Sequence, residues 1–317
     1  MSTFIGSLLK YLHYSRKCKD KDFFEYEDLV KYDFNPPKHF QSVFLYGNYK
    51  AIAKLSHKSF NFFTDYLEHG VCFIQTPESS RLMGYVDRPF ISRIYTFGSV
   101  RNKFITQYLD SKKRKRKVIE VGPYILGAKN FYDANVLHDL KNKIGKMLLV
   151  YPQHSIENSN VEYEIDDLIG VIKSKSSFFD SIFVCLYWKD ILLHPDYVER
   201  YKKAGFVVVS NGHRSDPMFL SRQKDLIMLS DMMITNGLGT HIGYSICLNK
   251  PVCFYKQEVL VNKKTHSEIL NPISEVESVF SEMFREFSFA ISEEQVNLVK
   301  HYWGDWDVKT DVIVDQL

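Results

Sequence analysis

The sequence predicts an α/β protein built from two Rossmann-like lobes, each with a parallel sheet. Short apolar runs alternate with helix-like stretches, and most of these runs end in a polar or glycine-bearing loop. The length of 317 residues exceeds one typical core and fits two domains, although one large α/β domain is also compatible with it. An apolar fraction of 45% with 25% charged residues is typical of a globular protein, so disorder is not expected over most of the chain.

The first half is predicted to form one parallel layer. A basic, aromatic helical segment occupies the first forty residues, and a helix-like stretch covers 49–56. Four apolar runs are expected to be strands, at residues 42–46, 71–74, 91–97 and 118–121. In this prediction the turn Glu68-His69-Gly70 immediately precedes the second strand. Glu68 or His69 there could serve as a general base, or Glu68 could simply cap or pair at the surface.

A polar helical stretch at 129–146 is expected to link the two halves. The second half is then predicted to hold five strands, at 147–151, 181–186, 206–209, 232–234 and 252–255. Helices are expected between them, including one with acidic residues from Glu162 to Asp167 in its early turns. The loops PQHS, YWKD, SNGHR and TNGLGTH follow the first four strands.

In a parallel sheet such loops emerge at one carboxyl edge, where ligands bind. Polar turns end many strands without binding anything, but histidines and an arginine in these loops favour a site. The candidate residues in the first and third loops are His154, Ser155, Ser210, His213 and Arg214. Arg214 could hold a phosphate with two hydrogen bonds, or it could pair with Asp216.

The fourth loop is the most informative part of the chain. Glycines followed by a helix start predict an anion site, because backbone amides and the helix dipole favour phosphate there. His241 could donate to a pyrophosphate or a ribose, or it could face water. Neither a Walker A loop nor GxGxxG is present, which disfavours P-loop NTPases and Rossmann dehydrogenases. The candidate residues are Asn236, Gly237, Gly239, Thr240 and His241.

Bulk properties restrict the remaining classes. A net charge of +3 is too small to imply nucleic-acid binding by itself. Five scattered cysteines without a CxxC pair support neither a zinc site nor a disulfide framework, and they indicate a reducing compartment. No signal peptide or membrane-spanning run is recognisable, so a cytoplasmic protein without metal or cofactor is expected.

The densest charge run begins at Lys112 and ends at Lys117, with the sequence KKRKRK. Such a run can be a solvated loop between two elements. Alternatively, it can contact an anionic membrane surface at the inner face of the membrane, where each basic residue contributes about 1 kcal/mol. Nucleic acid is the third alternative, because neither interleaved aromatic residues nor a recognisable binding motif accompany the run.

Several segments resemble GT-B glycosyltransferases of bacterial capsule, lipopolysaccharide or teichoic-acid-like polymer synthesis. The stretch SDMMITNGLGTHIGYSICLNKPVCFY is similar to the donor-binding segment of that class, and SNGHRSDPMFLSRQKDLIMLSD is similar to the strand and helix before it. YLEHG is similar in placement to the His-Gly turn of the acceptor lobe. SEEQVNLVKHYWG is similar to the final helix that crosses back to the first lobe. The likeness is clearest over residues 145–260.

The resemblance implies an acceptor lobe at 1–140, a donor lobe at 141–288 and a returning C-terminal helix at 289–317. It implies metal-independent sugar transfer from a nucleotide donor to a glycan or lipid-linked glycan, with Glu68 or His69 as base. Many members have a glutamate that holds the donor ribose where this chain has Gly243-Tyr244, and this departure favours a CMP-linked donor. A CDP-polyol phosphotransferase of teichoic-acid type and a non-catalytic nucleotide-sugar-binding scaffold are the alternatives.

Overall fold

The computed structural model describes residues 2–31, 44–73, 88–156, 159–262, 264–265 and 273–306. Helices and parallel strands alternate along most of these residues. The helices are α1 Ser2–Cys18, α2 Tyr26–Leu29, α3 Asn48–Leu55, α4 Ser99–Ser111, α5 Tyr124–Gly127, α6 Ala134–Ile144, α7 Ile165–Lys175, α8 Trp188–Leu193, α9 Pro195–Lys203, α10 Phe219–Leu229, α11 Thr240–Cys247, α12 Ile273–Met283 and α13 Glu293–Trp303. The strands are β1 Asp65–Leu67, β2 Arg93–Thr96, β3 Lys117–Glu120, β4 Met147–Tyr151, β5 Val161–Tyr163, β6 Ser181–Cys185, β7 Val207–Val209, β8 Met232–Thr235, β9 Val252–Phe254, β10 Val259–Val261 and β11 Lys264–Thr265.

The larger sheet has five parallel strands in the order β7-β6-β4-β8-β9. Its central strand, β4, reads MLLVY and is buried along its whole length, as expected for a parallel strand covered on both faces. The chain first builds outward from β4 through β6 to β7 and then returns to place β8 on the other side. The order therefore reverses between β4 and β8, and ligands bind at such a switch point in open α/β sheets.

The smaller parallel sheet has the order β1-β2-β3. Asp65 in β1 is fully buried and forms a two-pronged ion pair with Arg93 in β2, at 2.7 and 2.8 Å. A parallel layer in the first half is thus confirmed. Its strands are only three or four residues long, and their side chains do not alternate cleanly between the two faces.

Two strands predicted in the first half are wrong in the described residues. Residues 44–46 lie in a helical end and a turn, while 42 and 43 fall outside the described residues. Residues 71–73 belong to no strand, and 74 is likewise not described. The strand is β1 instead, so Glu68 and His69 follow a strand rather than precede one. Their turn therefore lies at the carboxyl edge of the smaller sheet.

A third, antiparallel sheet of β5, β10 and β11 lies beside the larger one. Glu162 is in β5, and α7 begins only at Ile165 with Asp166 and Asp167 in its first turn. Of the acidic residues predicted in the early turns of this helix, only Asp166 and Asp167 therefore lie in it. The five parallel strands expected in the second half are confirmed. The ends of β4 are as predicted, and those of the other four strands agree to within one residue.

One hydrophobic core is shared by the two parallel sheets. It includes Leu67 and Tyr95 from the smaller sheet and Leu149 and Met233 from the larger one. Cys185 and Cys253 are buried, as expected of small apolar side chains. No helix in the described part of the chain is long and apolar enough to cross a bilayer.

The helix α13 begins at a capping box formed by Ser292 and Gln295. Its last residue, Trp303, is fully buried and packs on the ring of Phe73 at 5.4 Å. Just beyond it, Gly304 lies against Gly98 so closely that a Cβ on Gly98 would be 2.6 Å from the Gly304 nitrogen. The end of α13 thus contacts the first half of the chain at the start of α4.

Candidate functional site

A cavity of about 310 Å³ lies where the carboxyl edges of the two parallel sheets meet. The loops after β1, β4, β6, β7 and β8 all contribute to its lining. The β4 and β8 loops are the two at the switch point of the larger sheet, and the backbone N–H of Gln153 joins them by donating to Asn236 at 2.6 Å. The polar loops at the strand ends therefore surround one cavity, which is large enough for a small ligand.

The glycine turn after β8 is held by hydrogen bonds among its own residues. The Thr235 hydroxyl donates to the carbonyl of Gly237 at 3.0 Å and accepts from the Gly237 N–H at 3.2 Å. Asn236 is buried, and its amide donates to Gln257 at 2.8 Å while its oxygen is used by Gln153. Asn236 therefore fixes the turn between two neighbouring loops and does not line the cavity.

The two glycines of this turn are explained by close packing rather than by a positive φ. A Cβ on Gly237 would overlap the Gln153 side chain, and a Cβ on Gly239 would lie 2.6 Å from the imidazole of His241. Neither residue is in the left-handed region. Gly239 and Thr240 line the cavity, and Gly237 does not. The first backbone N–H groups of α11 have no acceptors within the helix, and this end of the helix lies at the cavity lining, where Thr240 is its first residue.

His241 is a neutral, buried imidazole in the cavity wall. Its ring stacks on Tyr151 at 5.1 Å, and its Nε2 lies 3.0 Å from the Thr235 hydroxyl. Because that hydroxyl donates to Gly237, we infer that Nε2 carries the proton and donates to Thr235. Burial, aided by the nearby charge of His154, lowers the pKa of His241 to about 3. The residue offers no positive charge to a phosphate at neutral pH.

The predicted pair His213-Arg214 lies behind the cavity and does not line it. His213 is 2% exposed, packs on Trp188 at 4.2 Å, and accepts from the Ser215 N–H at 3.1 Å through Nδ1. Burial and then the charge of Arg214 lower the pKa of His213 to about 3. Asp216, the suggested partner of Arg214, forms a buried ion pair with Arg222 at 2.7 Å.

Two predicted serines also hold loops in place. The Ser155 hydroxyl accepts from the Val161 N–H at 2.9 Å, and the Ser210 hydroxyl donates to the Leu186 carbonyl at 2.9 Å. Both side chains are fully buried and outside the lining. Their neighbour His154 does line the cavity, with its ring 4.5 Å from that of Tyr187. Of the ten predicted donor-binding residues, four line the cavity: His154, Gly239, Thr240 and His241.

The turn after β1 separates the two predicted catalytic residues. Glu68 is 4% exposed, and it accepts from the Arg101 Nε–H at 2.7 Å and from the Thr96 hydroxyl at 2.7 Å. Its carboxylate also lies 2.6 Å from Nη2 of Arg101, which completes the ion pair. It does not line the cavity, whereas His69 does. An ion-paired carboxylate enclosed in this way is poorly placed to take a proton from a substrate, so His69 is the better candidate base.

Two hydrogen bonds hold the His69 turn at the cavity. The Asn48 amide donates to the His69 carbonyl at 3.0 Å, and the Thr240 hydroxyl accepts from the Val71 N–H at 3.2 Å. The second contact links the His69 turn directly to the glycine turn. The sequence argument named Thr240 as a donor-binding residue and missed this bridging contact, because its partner lies 169 positions away.

Sequence reasoning also missed a tyrosine pair in the cavity wall. The hydroxyls of Tyr46 and Tyr187 are 3.2 Å apart, and burial raises the pKa of both phenols. Tyr46 has a φ of +58°, a strained value for an aromatic residue, and its N–H donates to the Arg214 carbonyl at 2.6 Å. The Tyr-Trp pair at the end of β6 was a signal for Tyr187, but nothing in the sequence marked Tyr46.

Among the residues the structure describes, the cavity lining contains no Lys, Arg, Asp or Glu. The same residues include no cluster of three His, Cys, Asp or Glu side chains that could hold a metal ion. Hydrogen bonds and backbone dipoles are therefore the polar features that the described lining offers to a ligand.

Gly243 has a packing reason of its own. A Cβ at this position would overlap the indole ring of Trp303, which is fully buried. A glutamate could not occupy the position without displacing the end of α13. The next residue, Tyr244, lines the cavity.

No protein-family model matches this chain, and no curated protein matches it either. Among solved structures, it is similar to S. aureus MnaA in complex with UDP, with 12% identity, a TM-score of 0.39, and coverage of 87% of this chain and 79% of the other. For α,α-trehalose 6-phosphate synthase of Burkholderia multivorans the values are 10%, 0.35, 80% and 65%. For the N-terminal domain of Candida albicans trehalose-6-phosphate phosphatase they are 10%, 0.33, 75% and 60%. These TM-scores are too low for the likenesses to assign an activity or a ligand.

Proposed function

We propose that this protein is a metal-independent glycosyltransferase with the GT-B arrangement. One observation carries the proposal: the cavity lies at the switch point of the larger parallel sheet and is closed on its other side by a histidine turn from the smaller sheet. A transferase needs two such walls, because one must hold the donor and the other the acceptor within a single cavity.

In this proposal the two sheets belong to an acceptor lobe, 1–140, and a donor lobe, 141–288, with 289–317 returning to the first lobe. The contacts of Trp303 with Phe73 and of Gly304 with Gly98 support the returning segment. Residues near the N-terminus also contact the second half of the chain, since Arg222 in α10 donates to the carbonyls of Cys18 and Lys21. In this proposal, a segment from each end of the chain therefore contacts the opposite lobe.

The donor would place its phosphate at the glycine turn, against Gly239, Thr240 and the first amides of α11. Because His213 and His241 are neutral, the growing charge on the leaving phosphate would be stabilised by backbone N–H groups and by the helix dipole. His154 and Tyr187 would face the remainder of the donor. We propose a CMP-linked sugar, on the basis of the family resemblance and the Gly243 position alone.

His69 would act as the general base. It would take the proton from an acceptor hydroxyl as that oxygen bonds to the anomeric carbon of the sugar. The bond from that carbon to the phosphate oxygen would break, and the nucleotide would leave with the electron pair. Glu68 would keep the turn in position through Arg101 and Thr96. The acceptor we propose is a glycan or lipid-linked glycan of a bacterial surface polymer.

A product assay with a panel of CMP-, CDP-, UDP- and GDP-linked sugars and glycan acceptors tests this proposal. We expect a glycosidic product from one donor, with activity that persists in EDTA. A phosphodiester product would support a CDP-polyol phosphotransferase instead, and nucleotide binding without turnover would support a scaffold. Activity lost in EDTA and restored by Mn²⁺ would refute the metal-independent mechanism.

A further inference from the structure

The amino-terminal edge of the smaller sheet lies opposite the cavity and is formed by three segments, 57–64, 88–92 and 110–117. Backbone hydrogen bonds join them: Ser92 donates to Thr64 at 2.8 Å, and Lys117 donates to Ser92 at 2.9 Å. The Arg116 guanidinium also donates to the Arg88 carbonyl at 3.3 Å. We call these three segments the basic edge.

Positive charge is concentrated on the basic edge. Its segments contain eight basic residues, Lys58, Arg88 and the six from Lys112 to Lys117, and one acidic residue, Asp110. The whole chain has a net charge of only +3, so this edge alone carries more positive charge than the molecule does on balance. Five of the six residues in the run are exposed, and Arg116 is half-buried. Lys117 is close enough to Lys58 to lower the pKa of its ammonium group, which reflects the crowding of like charges.

Two phenylalanines project from the same edge. Phe63 is 51% exposed and Phe90 is 47% exposed, although Phe is usually buried in a folded protein. Phe90 follows Pro89, whose carbonyl accepts from Arg116 at 3.4 Å, and Phe63 precedes Thr64 in the joined segments. A solvated loop accounts for the charge run alone, but it gives no reason for two exposed aromatic side chains beside it.

We propose that the basic edge binds the surface of an anionic lipid bilayer. Lysines and arginines would attract the lipid phosphates, while Phe63 and Phe90 would enter the boundary between headgroups and acyl chains, which is the usual pairing in interfacial binding. Nucleic acid is a weaker match, because stacking on bases is usually combined with a groove that follows the strand. The proposal does not depend on the transferase activity.

This arrangement leaves the cavity accessible. His69 follows β1 at the carboxyl edge, and three strand residues separate that edge from the basic edge by about 10 Å. A bilayer under the basic edge would therefore lie close to the cavity without covering it.

Co-sedimentation with vesicles tests the proposal. The full chain is expected to bind vesicles that contain phosphatidylglycerol and not vesicles of pure phosphatidylcholine, and the binding is expected to weaken as salt is raised. Equal binding to both kinds of vesicle, or binding to neither, would overturn the proposal. A single-stranded oligonucleotide that binds more tightly than the anionic vesicles would also overturn it.

Matched variants locate the surface. Replacing Lys113, Arg114 and Lys115 with Gln is expected to weaken vesicle binding about 100-fold, at about fivefold for each charge. Replacing the exposed lysines Lys143, Lys173 and Lys203 with Gln removes the same charge elsewhere and is expected to cost only a fewfold. The double change Phe63→Ser and Phe90→Ser is expected to weaken binding by about tenfold or more. Equal losses in the two triple variants would show that net charge, and not the basic edge, drives binding.

Discussion

The two turns that meet in the cavity are held in place in different ways. The glycine turn, from Thr235 to His241, is fixed by hydrogen bonds of Thr235 with Gly237 and His241, and by the links from Asn236 to Gln153 and Gln257. The turn Glu68-His69-Gly70 is fixed from outside, by Arg101 and Thr96 on Glu68 and by Asn48 on the His69 carbonyl.

This difference determines what each turn can offer a ligand. The glycine turn uses its polar side chains to hold itself and the neighbouring loops, and it offers backbone amides and neutral groups to a ligand, which suits a leaving phosphate. The first turn uses its carboxylate for support and presents a single imidazole, which suits proton transfer. Polar residues at a strand end therefore do not all bind a ligand. Many of them hold the loop in place, and only a few face the cavity.

The largest effect is expected at His69. His69→Ala should lower kcat about 100- to 10,000-fold, because the proposed general base is removed while its backbone contact with Asn48 is kept. Steady-state kinetics with the donor found by the product assay would measure it, and circular dichroism would confirm folding. Turnover equal to that of the parent protein would remove His69 from catalysis.

Glu68→Gln should affect stability rather than chemistry. Removing one partner of a buried ion pair leaves Arg101 uncompensated and is expected to cost about 3–5 kcal/mol in the free energy of unfolding. Urea denaturation would measure this loss, and kcat of the folded protein should change little. Glu282→Gln breaks an exposed pair with Arg285 and serves as the control, with little expected change. Normal stability combined with lost turnover would reverse the roles of Glu68 and His69.

His241 should make stability depend on pH. Its folded-state pKa of about 3 lies below the unfolded value of 6.5, so the unfolded state takes up the proton first as the pH falls. The stability that neutral His241 provides is present above pH 6.5 and is lost progressively towards pH 3. From pH 7 to pH 5 the parent should lose about 2 kcal/mol more than His241→Gln.

Asp225 acts in the opposite direction, because burial raises its pKa to about 7 and its protonation stabilises the folded state as the pH falls. This contribution is common to the parent and to His241→Gln, so it cancels in the difference between them. Urea titrations at the two pH values give that difference. Parallel stability curves would show that His241 is not buried in its neutral form.

The smallest effect concerns the bridge between the turns. Thr240→Val removes the acceptor of the Val71 N–H and should cost about 1 kcal/mol, with a severalfold fall in kcat as the His69 turn loosens. Thr240→Ser keeps the hydroxyl and should retain most of both. If the Ser and Val variants behaved alike, the bridge would not position His69.

The sequence was most reliable where burial is continuous. β4 was predicted with its correct ends because MLLVY is apolar throughout. β1 was missed because its first residue is Asp65, which becomes a strand residue only through Arg93, 28 positions later. Short strands held by distant ion pairs leave no local pattern to recognise.

The site shows the same limit. Loop chemistry placed His154 and Ser155 together as ligands, but only the fold decides that one faces the cavity and the other supports Val161. Tyr46 could not be found, since its strained backbone is fixed by Arg214, far along the chain. Positions beside a strand end are predictable from sequence, whereas the direction of each side chain depends on long-range contacts.

The central claim is that a nucleotide binds at the glycine turn and the acceptor is activated from the opposite turn. Isothermal titration of CMP, CDP, UDP and GDP into the parent, Gly239→Ala and His69→Ala tests it most directly. One nucleotide should bind the parent and His69→Ala equally and bind Gly239→Ala at least about tenfold more weakly, because a Cβ there would displace the His241 ring. Binding of none of these nucleotides to the parent, or equal weakening in both variants, would contradict the account.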